Sequence, residues 1–177
     1  MMSPRLITAI RAVSLGTTTL ILGMLFAHLL ELPPKRELAY GSYLVVQQNL
    51  YRDWGPAASV LEPLALLSTG LLAFLLWRAR RPGTAAVVVA ALGQLIALVL
   101  FFAVVNPVNT KQAGWTAAVP PADWQHVRDL WEYGHAVRGL LYAVAFALIL
   151  ATILNDARRA VLRAPVDDAR STARSRS

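Results

Sequence analysis

Residues 84–105 read TAAVVVAALGQLIALVLFFAVV, and Gln94 is the only strongly polar side chain among them. A helix needs about 20 mostly apolar residues to cross the roughly 30 Å hydrocarbon core of a bilayer. Three further stretches have the same character, at about 6–30, 57–77 and 134–154. The sequence therefore predicts an all-α fold, a bundle of four transmembrane helices.

The composition favours a membrane protein and excludes several other classes. Of the 177 residues, 56% are apolar and 15% are charged, whereas soluble domains have about 45–50% and about 25%. Cysteine is absent, which excludes disulfides, thiol catalysis, zinc–cysteine sites and iron–sulfur clusters. No small-x-small cleavage site follows the first apolar stretch, so we expect an uncleaved helix rather than a signal peptide.

The net charge of +7 is distributed unequally across the predicted membrane. Most basic residues lie near the N-terminus, in the turn 78–81 and after Leu154. The positive-inside rule therefore places both termini in the cytoplasm, across a bacterial-type plasma membrane. We expect residues 158–177 to be a basic, disordered tail on the anionic inner leaflet, following the transmembrane domain 1–157. Lipid headgroups then account for the basic balance without a nucleic-acid partner.

Turn-forming residues predict where the helices end. Pro33-Pro34 predicts the end of the first helix and Asn106-Pro107 the end of the third. Residues 38–51 have the pattern of a short amphipathic helix in the first outer loop, whereas 106–121 shows no clear helix. Asp123 marks the start of a long last helix.

Polar side chains from all four helices concentrate at one depth, in the predicted outer third of the bundle. Spacings of three and four in the last helix place a stripe on one face, consisting of Trp124, Arg128, Trp131, His135, Arg138 and Tyr142. The other polar residues at this depth are His28, Glu31, Glu62, Asn106, Asn109 and Glu132. Each ionisable residue in a membrane helix costs roughly 2.5–3.5 kcal/mol, so their convergence predicts a polar pocket that opens outward.

The pocket predicts an acid/base site. We assign His135 as the acid or base, Glu132 and Glu31 as its partners, and Arg138 as the group that stabilises a developing oxyanion. Polar and aromatic side chains nearby are candidates for substrate binding, namely Gln47, Asn106, Asn109, Trp115 and Trp131.

Alternatives stay open for the same residues. Glu132 with Arg128, or Glu62 with Arg138, could form ion pairs that only hold helices together. A haem could lie between His28 and His135, or the site could need no cofactor. A mononuclear or dinuclear metal site of iron, copper or zinc could use the ligating side chains at this depth, which are His28, Glu31, Glu62, Glu132 and His135.

Three short segments make the chain resemble a known family. AHLLELP at 27–33, NPVN at 106–109 and WEYGHAVR at 131–138 together resemble the anthrone oxygenase-like family of four-helix membrane proteins. That resemblance implies, for a few members, oxidation of anthrones to anthraquinones by dioxygen without an organic cofactor. We therefore expect an oxygenase-like or redox enzyme for a small apolar or aromatic substrate. The alternative is a non-enzymatic scaffold, assembly factor or small-solute carrier.

Overall fold

The computed structural model describes residues 4–174, with side chains for residues 5–159, 161 and 162. In that part of the chain the secondary structure is helical, which confirms the predicted all-α class. The helices are α1 (Pro4–Glu37), α2 (Tyr40–Val45), α3 (Trp54–Arg78), α4 (Thr84–Leu100), α5 (Asn106–Ala113) and α6 (Trp124–Arg174). Two π-helical segments, Val46–Leu50 and Phe101–Val105, follow α2 and α4.

Four helical spans are long and apolar enough to cross a membrane: Arg5–Glu37, Trp54–Arg78, Thr84–Ala113 and Trp124–Arg159. Large apolar side chains point outward from them, as in Leu20, Leu67, Phe74, Val99, Phe102 and Leu140. Apolar patches of this extent are rare on soluble monomers and are covered by lipid in membrane bundles. The chain is an integral membrane protein.

The four spans form a four-cornered bundle. α1 contacts α3 and α6, and α4 contacts the same two helices on the opposite side. Polar side chains connect the corners along the interior, since Ser14 Oγ lies 2.6 Å from Thr69 Oγ1 and Gln94 donates to Thr18 Oγ1 at 2.8 Å. Such hydrogen bonds between helices, which have no water to compete with them, fix the helices relative to one another.

The short turn between α3 and α4 depends on one glycine. Gly83 has φ +88°, in the left-handed region that favours glycine, and it directly precedes α4. A Cβ at this position would lie 2.9 Å from Thr152 Cγ2 of α6. The turn therefore needs glycine both for its backbone conformation and for the close approach of α6.

The predicted end of the first helix at Pro33-Pro34 is wrong, because α1 continues through both prolines to Glu37. Each proline removes one backbone donor from the helix. The extra turn carries Lys35, whose side chain is buried and lies 3.0 Å from Glu132 of α6. Contacts with α6 thus hold a turn that the local sequence disfavours.

The predicted loop after Val105 is partly wrong as well. The chain passes through the π-helical segment into α5, so residues 106–113 are helical. Pro107 lies in the first turn of α5 and removes one backbone donor from this continuous helical stretch, directly after the π-helical segment. The short helix predicted within 38–51 is confirmed by α2 and the π-helical segment after it.

The last helix begins at Trp124, next to the predicted start, and runs to Arg174. The chain is therefore helical over 158–174, where the sequence predicted a disordered tail. Nine of the 17 residues in this segment are alanine or arginine, which are strong helix formers, whereas Pro165 removes one backbone donor from it. Residues 175–177 of the predicted tail lie outside the described residues.

Candidate functional site

A cavity of about 640 Å³ lies at the end of the bundle that holds the connections 38–53 and 114–123, called the loop-rich end below. Its volume is typical of pockets that bind small molecules, about 300–1,000 Å³. Residues from every corner of the bundle line it: Ile21, Met24, Leu25, His28, Gln47, Gln48, Tyr51, Arg52, Trp54, Gly55, Ala58, Glu62, Phe101, Asn109, Gln112, Ala113, Trp115, Trp131, His135 and Arg138.

Two histidines from different helices contact each other in the cavity wall. The ring centroids of His28 in α1 and His135 in α6 lie 4.4 Å apart. Three aromatic rings surround His28, since the centroids of Tyr51, Trp54 and Trp131 lie 4.7–4.8 Å from its own. The histidine pair therefore lies within an aromatic wall that suits a flat apolar ligand.

The hydrogen bond of His135 determines which of its nitrogens can act as a base. Its Nδ1 lies 2.9 Å from the carbonyl oxygen of Trp131. A carbonyl oxygen can only accept, so Nδ1 carries the proton and Nε2 of a neutral ring keeps the lone pair. His28 differs, because its buried Nδ1 has no hydrogen-bond partner and lies 3.8 Å from the Glu31 carboxylate.

Arg138 and Glu62 form a buried ion pair between α6 and α3. Arg138 Nη2 donates to Glu62 Oε1, and its Nε donates to the carbonyl oxygen of Ala97 in α4 at 3.1 Å. Arg138 is 1% exposed and Glu62 5% exposed. This confirms one of the two ion pairs considered from sequence, and the same two side chains also line the cavity.

The other predicted pair, Glu132 with Arg128, does not form. Arg128 Nη2 instead lies 3.0 Å from Asp129 Oδ1, while Glu132 Oε1 lies 3.0 Å from Lys35 Nζ. Lys35 is not among the predicted site residues, because Pro33-Pro34 predicts a helix end before it. Its position, four residues after Glu31 and seven after His28, placed it on their face of α1.

Tyr51 lies between the cavity and the charged group formed by Glu31, Lys35 and Glu132. Its hydroxyl accepts a hydrogen bond from Lys35 Nζ at 3.0 Å and donates one to Glu31. Burial, followed by the hydrogen bond to Glu31, raises the pKa of Tyr51 well above its ordinary value of 10.0. Tyr51 therefore stays a protonated donor beside the His28 ring.

Amide side chains form the polar part of the cavity. Trp131 Nε1 donates to Asn109 Oδ1 at 2.6 Å, and Gln47 Nε2 donates to Gln112 Oε1 at 3.1 Å. Gln48 donates to the carbonyl oxygen of Trp115 at 3.0 Å. These contacts fix α5 and the connection 38–53 against the start of α6.

The structure brings most of the predicted site residues to this one cavity. Those that line it are His28, Gln47, Glu62, Asn109, Trp115, Trp131, His135 and Arg138. Glu31 and Glu132 lie behind the wall as partners of Lys35, and Asn106 is exposed and does not line the cavity. The lining residues that were not predicted include Gln48, Arg52, Trp54, Phe101 and Gln112.

The residues present do not form the predicted metal or haem sites. Within the described side chains, no three His, Asp or Glu residues group together so as to hold a metal ion. Glu62 and Glu132 instead face Arg138 and Lys35. A haem between His28 and His135 would need a porphyrin between the two rings, which contact each other directly.

The family model for anthrone oxygenase matches residues 52–148, more than half of the chain. The match begins just before α3 and ends within α6, so it includes Glu62, His135 and Arg138 but not His28. A search of curated proteins and a search of solved structures found no match. The chain belongs to the anthrone oxygenase family.

Proposed function

We propose that this protein is an oxygenase that oxidises a flat aromatic substrate, of the anthrone type, inside the cavity at the loop-rich end. The observation that carries the proposal is the contact between His28 and His135 within an aromatic wall. It combines a base with a surface that stacks on fused rings. The family membership supplies the reaction class.

The aromatic wall suits the substrate. Trp54 and Trp131 flank His28 from different helices. Phe101 also lines the cavity, with its ring centroid 5.0 Å from Cζ of Arg138. Stacked or edge-on aromatic pairs contribute about 0.5–1.5 kcal/mol each beyond their buried area. Several such contacts orient a rigid ring system with little loss of conformational entropy.

The reaction begins with loss of a proton from the substrate. His135 Nε2 takes a proton from the ring CH₂ group that lies opposite the substrate carbonyl. The remaining electron pair is delocalised into that carbonyl oxygen, and Arg138 lies in the cavity wall to stabilise the resulting negative charge. Removing this proton turns an unreactive C–H bond into an electron-rich anion.

Dioxygen then accepts the electron pair of this anion and forms a C–O bond at the same carbon. The resulting peroxide anion takes the proton back from His135 Nε2 and becomes a hydroperoxide. A base removes the second hydrogen of that carbon as a proton, the C=O bond forms and the O–O bond breaks. The hydroxide released takes up a proton from the histidines and leaves as water. In total, CH₂ and O₂ become C=O and H₂O, so the sequence uses only substrate, dioxygen and a base.

The scaffold alternative agrees less well with the cavity. A purely structural cluster would have its polar atoms paired and no space between them. Instead, His28 Nδ1 and Glu62 Oε2 are buried without hydrogen-bond partners, next to about 640 Å³ of space. Both features favour a bound ligand.

Turnover of an anthrone tests the proposal. The protein, purified in detergent, is mixed with an anthrone in aerated buffer while dioxygen uptake and anthraquinone absorbance are followed together. We expect one anthraquinone per dioxygen, at a rate proportional to protein and above that of heat-denatured protein, which corrects for spontaneous oxidation. Saturable binding of the anthrone without accelerated oxidation would contradict the oxygenase and support a carrier.

A further inference from the structure

Arg52 places a positive charge without an ion-pair partner among the described residues at the mouth of the cavity. It lies between the π-helical segment and α3, is exposed, and lines the cavity. Among the described residues, no ion pair or hydrogen bond occupies its guanidinium. The neighbouring Asp53 does not line the cavity.

The other charges of the lining do not balance Arg52. Glu62 and Arg138 form an ion pair with each other, so together they add no net charge to the lining. His28 and His135 are neutral or positive in either protonation state. The lining residues therefore attract a negatively charged group, and they attract it at the mouth rather than in the depth of the cavity.

Amide groups accompany Arg52 at the same end. Gln47 is half-buried and Gln48 is exposed in the π-helical segment, and Asn109 is exposed in α5; all three line the cavity. Gln47 Oε1 is buried without a hydrogen-bond partner. The mouth thus offers hydrogen bonds to polar substituents, while the aromatic wall and the histidines lie further in.

We propose that the substrate is an aromatic acid, a fused ring system that carries an ionised carboxylate at one edge and binds it to Arg52. This rests on the proposed function and names its substrate class. A guanidinium binds a carboxylate through two parallel hydrogen bonds. Arg52 anchors that edge while the opposite edge of the rings reaches the histidine pair.

Binding of two matched product analogues tests the proposal. Anthraquinone and anthraquinone-2-carboxylate are titrated against protein in an uncharged detergent, and quenching of tryptophan fluorescence reports binding, because Trp54, Trp115 and Trp131 line the cavity. We expect Arg52→Gln to raise the Kd of the carboxylate about 5- to 10-fold and to leave that of anthraquinone unchanged. Added salt should weaken the binding of the carboxylate but not that of anthraquinone, and it should do so only in the wild-type protein.

Lys111→Gln provides the matched control. Lys111 is an exposed cation at the same end, but its Nζ is held 2.5 Å from Asp123 and it does not line the cavity. Its substitution changes the net charge equally and should leave both Kd values unchanged. If Arg52→Gln and Lys111→Gln raised the Kd of the carboxylate equally, the effect would come from the overall electrostatic field rather than from a binding contact. That result would overturn the proposal.

Further outcomes would also decide whether the proposal holds. Failure of the carboxylate to bind, or equal Kd values for both analogues in the wild type, would overturn it. So would phosphatidylglycerol binding more tightly than the aromatic acid and losing that affinity in Arg52→Gln, which would assign Arg52 to a lipid headgroup. Arg52-dependent binding of the acid without any anthrone turnover would refute the oxygenase reaction and retain acid recognition.

Discussion

At the scale of residues, the ion pair of Glu62 and Arg138 dominates the interior. Taking two charges out of water costs several kcal/mol each, and their mutual attraction repays this only with good geometry and further hydrogen bonds. Arg138 has both, since it also donates to the Ala97 carbonyl. Either charge left alone would be buried without its partner, since Arg138 is 1% exposed and Glu62 5% exposed.

Removing one member of this pair should therefore cost more than removing both. We expect Arg138→Met to lower the free energy of unfolding by about 3–5 kcal/mol. Adding Glu62→Met to it should restore part of the loss, because no unpaired charge is left. Apparent Tm values of the two single variants and the double variant in detergent check this. A double variant less stable than either single one would contradict it.

Tyr51 predicts a pH dependence of stability. Its pKa is raised in the folded protein and returns to about 10 on unfolding. The unfolded state therefore loses this proton first, so the stability due to protonated Tyr51 is complete below about pH 10 and is lost as the pH rises further. Apparent Tm should fall more steeply above about pH 10 in the wild type than in Tyr51→Phe. Parallel profiles would show that Tyr51 ionises equally in both states.

For single residues, the sequence predicted which side chains lie at the site better than it predicted which of them form ion pairs. The stripe Trp131, His135, Arg138 was predictable because helical spacing places side chains on one face, and all three are buried. The partner of Glu132 was not predictable, because Lys35 reaches it from another helix. Pairing between helices depends on their rotation about their axes, which one sequence does not reveal.

At the scale of elements, the length of each apolar stretch predicts the four membrane spans correctly. The prolines, in contrast, gave wrong predictions for the ends of the first and third spans. A proline in a membrane helix removes a hydrogen bond, but neighbouring helices and local π-helical turns can compensate. That happens at Pro33-Pro34, where α1 continues, and before Pro107, where Phe101–Val105 is π-helical. Both extensions bring residues to the cavity region that a helix stop would have left in loops.

The turn between α3 and α4 offers a prediction at this scale. Gly83→Ala should destabilise the protein by about 1–2 kcal/mol, because alanine is strained at positive φ and its Cβ would lie 2.9 Å from Thr152. Gly70→Ala in α3 is the control, since a Cβ there has nothing within 4 Å. Thermal unfolding should show a loss for the first variant and no loss for the second. Equal Tm values would contradict the tight turn.

At the scale of the whole molecule, the bundle has two unlike ends. At the end with the α3–α4 turn, ion pairs join the helices. Arg11 Nη2 lies 2.5 Å from Asp156 Oδ2, and Arg81 Nη1 lies 4.0 Å from the same oxygen. The loop-rich end holds the cavity. Between the ends, the described polar side chains of the interior pair with each other, as Gln94 does with Thr18. The polar entrance to the cavity lies at the loop-rich end, where Arg52 is exposed.

The sequence predicts that this entrance faces outward, because basic residues concentrate at the other end. The absence of native cysteine allows single-cysteine labelling without background. Thr110→Cys, at the loop-rich end, should react with a membrane-impermeant maleimide added to intact cells, whereas Arg80→Cys should react only after lysis. The reverse pattern would invert the topology and give the cavity an inward entrance.

The central claim, that His135 is the base of an aromatic oxygenase, has a direct test in two histidine variants. His135 lies in the cavity wall, whereas His126 is exposed on α6 outside it. The rate of anthrone oxidation is measured for His135→Gln and His126→Gln, with anthraquinone binding as the check of an intact site. We predict a loss of about 100-fold or more for His135→Gln, as expected for a general base, and an unchanged rate for His126→Gln. Oxidation by His135→Gln at the wild-type rate would contradict the account.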